Sequence, residues 1–134
     1  MSVRPPNVLL IMADQWERSL TRAALREVGY DAVGARDVSE ARRYRAVEPG
    51  RGAVGVVVAD HDAAAKSGEM LNDIVAMLRG PPVILVARVT QNPPPGAWTR
   101  VIRRPLSVAD LVGAVQSALP LPEESRRPVD VEGE

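Results

Sequence analysis

Asp60 is the residue best placed to do chemistry. It closes the run Ala53 to Asp60 (Ala-Val-Gly-Val-Val-Val-Ala-Asp), and Asp62 follows two positions later. A third carboxylate, Asp14, stands just past a second apolar run, Asn7 to Ala13, and Arg100, Arg103 and Arg104 cluster near the end of the chain's patterned part. A carboxylate at the carboxyl end of a buried strand lies where ligands and chemistry gather in open α/β sheets, and its oxygens suit a hard cation. Asp14, Asp60 and Asp62 together could make a makeshift cation site. The simpler readings are a helix cap for Asp14 and a solvated loop charge for Asp62. Arg104 supplies a positive charge for a direct ion pair with Asp60. His61 is the only histidine and cysteine is absent, so a His-based zinc site, a Ser-His-Asp triad and a disulfide framework have little support.

These residues need a scaffold, and the 134-residue chain is long enough for one domain with a core. Acids and bases number 17 each, so no net field draws the chain to nucleic acid or a membrane. The run Val8 to Ala13 is too short to span a bilayer, and a cytoplasmic protein is expected. Asn7–Ala13, Ala53–Asp60 and Val83–Ala87 are continuous apolar runs of the kind buried on both faces of a parallel sheet; Tyr30–Ala35 and Val101-Ile102 read as shorter strands. Between them lie helical patterns: Gln15–Val28, with Trp16, Leu20, Ala23, Ala24 and Val28 as its buried stripe; a segment from Asp37 or Ser39 to Ala46; Glu69–Leu78; and a helix opened by Ser107 with Asp110 three residues on. His61–Gly68 reads as a polar loop, and Pro93-Pro94-Pro95 forces an extended link before the last strand. Residues 1–6 read as a flexible lead-in, 7–119 as the domain and 120–134 as a disordered tail. Strands alternating with helices imply a doubly wound α/β fold.

In this order and spacing the chain resembles a response-regulator receiver domain. Asp60 falls at the phosphoacceptor position, Gly68 at the family's loop glycine, Pro82-Val83-Ile84-Leu85-Val86 resembles its fourth strand, and Arg104-Pro105-Leu106-Ser107 its Lys-Pro-Phe-Ser/Thr segment. The resemblance implies a flavodoxin-like five-stranded parallel sheet of order 2-1-3-4-5, with the fourth helix shortened or replaced by the proline loop. The departures lie at the site. Met12 and Ala13 occupy the places of the Mg²⁺-binding acidic pair, Ala87 that of the hydroxyl residue, Arg104 that of the lysine and Val101 that of the aromatic switch residue.

The resulting expectation is a pseudoreceiver that is not an enzyme and works by protein–protein interaction in a two-component or related pathway, without ordinary Mg²⁺-dependent phosphorylation. The alternative is a working response regulator phosphorylated on Asp60 by a histidine kinase. Partners expected from the resemblance are such a kinase or another signalling protein, or a second copy of the chain. The contact face is the rebuilt region with Trp98, Arg100, Val101 and Arg103, although Trp98 also reads as a lid over the core. A remote reading takes Arg4 to Gln15 for the opening of a sulfatase, with Asp14 as a calcium ligand, but no Ser-x-Pro-x-Arg motif is present and the chain is far too short for that hydrolase.

Overall fold

The computed structural model describes residues 5–47, 53–88 and 92–121. The expected lead-in before residue 5, the tail beyond 121 and the helix stop at Pro49-Gly50 lie outside the described residues. Among these residues five strands and five helices follow one another: β1 (Asn7–Ile11), α1 (Gln15–Val28), β2 (Asp31–Ala35), α2 (Val38–Val47), β3 (Val54–Asp60), α3 (His61–Lys66), α4 (Gly68–Met77), β4 (Val83–Ala87), β5 (Arg100–Arg103) and α5 (Val108–Ala118). All neighbouring strands run parallel, in the order β2-β1-β3-β4-β5. This is the flavodoxin-like sheet that the resemblance implies, and the strand pattern indicates its parallel, doubly wound character. Among the described residues no helix lies between β4 and β5, where the prolines sit.

Alternation along the strands divides the core in two. Leu9, Ile11, Val57, Ala59 and Leu85 face Val38 and Ala41 of α2 and Leu71 and Ile74 of α4. Val8, Leu10, Val56, Val58 and Ile84 face Leu25 of α1 and Leu111, Val112 and Val115 of α5. With both faces covered, the three inner strands must be apolar at nearly every position. All five residues of β1 and of β4 are indeed buried. The carboxyl ends of β1, β3 and β4 therefore meet solvent together at one edge, which is where Asp60 emerges.

Two expectations are corrected. His61–Lys66 is a helix and not a polar loop. Asp60 caps it, and Ala63-Ala64-Ala65 are strong helix formers, of which Ala63 and Ala64 are buried. Of the stripe expected for α1 only Ala24 packs on the core: Trp16 is 74% exposed, and Leu20, Ala23 and Val28 are exposed as well. The buried residues are Thr21 and Leu25, and Leu25 lies about half a turn around the helix from Trp16. Arginines complete this inner side. Arg18 donates to the Met12 carbonyl at 2.7 Å and Arg22 to the Ala32 carbonyl at 3.1 Å, their stems lying along the sheet. Gly34 leaves room for this, since a Cβ there would stand 3.0 Å from Arg18 Cγ.

The two tryptophans should separate cleanly in stability measurements. Trp98 packs on the core from the proline link and donates its indole N–H to the Pro94 carbonyl at 2.8 Å. Trp98→Ala is expected to cost about 2 kcal/mol, below the range for fully buried tryptophans because the ring is only half-buried. Trp16→Ala is expected to stay within about 0.5 kcal/mol of the parent. Urea unfolding of the two variants measures both values.

Candidate functional site

β3 carries Asp60 to the sheet edge, paired in register with Val86 of β4. The residue is only 6% exposed, and both carboxylate oxygens accept main-chain hydrogen bonds. Oδ1 accepts the Ala63 N–H at 2.8 Å, capping α3, and Oδ2 accepts the Ala13 N–H at 2.7 Å. Asp60 thus joins the end of β1, the end of β3 and the start of α3. Main-chain donors on both oxygens satisfy the hydrogen bonding of this buried side chain.

The other candidates are placed differently. Asp14 is the N-cap of α1, accepting the Glu17 N–H at 2.8 Å, as its spacing suggested. Asp62 is not a solvated loop charge: it lies in the first turn of α3 and is hydrogen-bonded to Arg88. That hydrogen bond holds the Asp62 carboxyl below its usual value of 3.8. A depressed carboxylate pKa adds stability above the ordinary value, and that stability is lost as pH falls through the folded one. Because the pair is half-exposed and screened by solvent, Asp62→Asn is expected to cost less than about 1 kcal/mol at neutral pH. Its penalty should vanish below the folded pKa, which urea unfolding across acidic pH would show.

Arg104 does not pair with Asp60. Its two terminal nitrogens grip the Glu17 carboxylate of α1 at 2.5 and 2.7 Å. The forked guanidinium matches the Glu17 carboxylate two-to-two, while each Asp60 oxygen accepts a main-chain N–H. The Glu17 hydrogen bond raises the Arg104 pKa, with smaller Coulombic contributions from Glu17, Asp60 and Asp14. Glu17 was not singled out in the sequence. The only local signal was its place three residues after the cap Asp14. Ser107 and Asp110 form the expected reciprocal capping box, and the Arg104–Pro105 peptide is cis.

The switch positions are filled by packing. Met12 is fully buried against Leu10 and Val58, and Ala87 is fully buried in the opposite cluster. Val101 is half-buried and, like Trp98, packs against the core, whereas Arg100 and Arg103 are exposed on the edge strand β5. Arg103 donates to the Arg88 carbonyl at 3.1 Å. The residues at this edge do not fit Mg²⁺. Met12 and Ala13 offer no side-chain oxygen, Asp60 is held by two amides, and among the described residues no three His, Asp or Glu side chains gather to hold an ion.

No family model matches the chain, and no curated protein matches it by sequence. Solved structures do. The chemotaxis protein CheY4 of Vibrio cholerae superposes with a TM-score of 0.69 at 17% identity, over 86% of this chain and 99% of that one. The signal receiver domain of an HD domain-containing protein from Pseudomonas fluorescens Pf-5 gives 0.68 at 21% identity, over 87% and 95%. The receiver domain of a LuxO repressor protein from Vibrio parahaemolyticus gives 0.64 at 16% identity, over 97% and 99%. The chain has the fold of the response-regulator receiver domains.

Proposed function

We propose that this chain is a pseudoreceiver: a signalling module that meets its partners through protein surfaces and is not switched by Mg²⁺-dependent phosphorylation of Asp60. The observation that carries the reading is the double amide clamp on the Asp60 carboxylate, to Ala13 and Ala63. A carboxylate used as nucleophile needs an oxygen lone pair turned to the phosphorus and a cation to neutralise the incoming phosphoryl charge. Here the oxygens brace the sheet edge, and Arg104 is turned to Glu17. The receiver-like fold supports a place in two-component or related signalling, and no helix of the described residues is long and apolar enough to cross a membrane.

The partner-contact assignment narrows. Trp98 and Val101 pack against the core, so the exposed charges of β5, Arg100 and Arg103, are the better contact residues on that face. A histidine kinase, another signalling protein or a second copy of this chain would meet them. Arginine contributes disproportionately at interfaces through its planar, multiply donating head.

Magnesium titration tests the reading. Adding Mg²⁺ to ¹⁵N-labelled protein is expected to leave the Ala13, Asp60 and Ala63 amide signals unmoved. Saturable shifts at these three positions would show that the amide clamp yields to a metal, against the proposal.

A further inference from the structure

Helix α1 carries an apolar face with nothing packed on it among the described residues. Of the four large apolar side chains exposed there, Trp16, Leu20 and Val28 belong to this one helix. Trp16, Leu20 and Ala23 are spaced four and three apart, so they line up along the side of α1 opposite Leu25. Exposed apolar surface gathered in this way marks a contact surface. Arg22 and Arg26, four apart, run along one flank of the line. Both are exposed, and Arg26 has no ion-pair partner among the described residues. Glu27 is the one acid of the helix left against them, because Glu17 is held by Arg104.

The place where α5 ends indicates what covers this face. The helix runs back to the amino ends of the strands, where Leu119 lies over Gly55 and its carbonyl accepts the Tyr30 hydroxyl at 2.6 Å. Tyr30 comes just after the end of α1, and Leu121 packs on the same core cluster as Ala24 and Leu25 of α1. Residues 122–134 follow, with five acids against two arginines and with Val129 and Val131 on either side of Asp130. Trp16 and Arg26 are ten residues apart on α1, about 15 Å. The ten residues from Leu121 to Val131 can span up to roughly 33 Å. The order matches as well: Glu123 and Glu124 come first, at the Arg26 end, and Val129 and Val131 come later, at the Trp16 end. A second copy of the chain fits less well. In a two-fold pair of antiparallel α1 helices the same flank of each meets, which places arginine against arginine.

We propose that the segment 122–134 docks on α1, with Val129 and Val131 against Trp16 and Leu20 and with Glu123 and Glu124 beside Arg22 and Arg26. Tethering sets its local concentration on the order of millimolar, so a contact too weak to hold a free peptide is still occupied. The segment is then a built-in competitor for this face, which any partner of α1 has to displace. The proposal goes beyond the pseudoreceiver reading and is independent of it, because it involves neither Asp60 nor β5.

The chain has no cysteine, so a single nitroxide can be placed on the 134-residue protein through Gly133→Cys. Paramagnetic broadening of the ¹⁵N-labelled protein is expected to remove most of the intensity of the Trp16, Ser19 and Leu20 amides. It should spare Met77, which is exposed on α4 across the sheet. The loss should disappear when Val129→Asp and Val131→Asp are combined. Arg26→Glu should weaken it, and adding Glu123→Arg and Glu124→Arg to that variant should bring it back. Broadening that is absent, confined to another surface or spread evenly over the molecule would overturn the proposal, as would a loss that survives the double valine substitution. Equal loss at α1 in a ¹⁵N-labelled chain without nitroxide, mixed with unlabelled chain carrying it, would make the occupant a second copy and overturn the proposal too.

Discussion

Asp60→Ala is expected to lower the stability of the fold by about 3 kcal/mol, since hydrogen bonds to a charged group contribute roughly 1.5–3 kcal/mol and both amide partners lose theirs. Ala13 N–H and Ala63 N–H would each lose an acceptor at 2.7–2.8 Å, and α3 would lose its cap. The sign is the informative part. In a cluster of carboxylates built for a metal, removing one relieves repulsion and stabilises the protein. In this chain the carboxylate is a brace, so its removal should destabilise. Asp60→Asn keeps one acceptor oxygen and is expected to fall between parent and alanine variant. Urea or thermal unfolding of the three proteins gives the order directly. An alanine variant as stable as the parent would show that the amide clamp carries no weight.

The second large effect concerns Arg104 and Glu17, which tie the end of β5 to the first turn of α1. Both side chains are partly buried and the contact is two-to-two, so it belongs above the range of isolated surface pairs. A double-mutant cycle with Arg104→Ala and Glu17→Ala is expected to return a coupling of about 1–2 kcal/mol. Arg104→Lys should lose most of that coupling, because an ammonium cannot span both carboxylate oxygens in the same plane. A coupling near zero would free Arg104 for other partners at the sheet edge.

The parts of this arrangement that sequence reveals are those that depend on near neighbours. β1, β3 and β4 are legible because strands covered on both faces must be apolar throughout, and their order with the helices implies the doubly wound sheet. The caps at Asp14 and Ser107 are legible from three-residue spacing. Helix α3 escapes notice because six residues hold less than two turns and its first two, His61 and Asp62, look like loop chemistry. The face of α1 misleads because Trp16, Leu20 and Ala23 make a periodic apolar stripe by themselves. Packing against β2 and α5 instead selects the side with Thr21 and Leu25, flanked by arginine stems that periodicity scores as polar. The partner of Arg104 is a tertiary fact: Glu17 is 87 positions away, and nothing local to either residue links them. The same holds for Asp60, whose second amide comes from Ala13 across 47 positions.

The central claim is that Asp60 holds the sheet edge together and does not accept a phosphoryl group. Its most direct test is intact-mass analysis after incubation with Mg²⁺ and acetyl phosphate. Absence of a bridging metal alone is expected to cost several kcal/mol of transition-state stabilisation, on the order of a thousandfold in rate. The predicted result is an unmodified mass over times that fully label an ordinary receiver domain treated in parallel. A one-phosphoryl adduct that forms at the ordinary receiver's rate and disappears in Asp60→Asn would contradict the account.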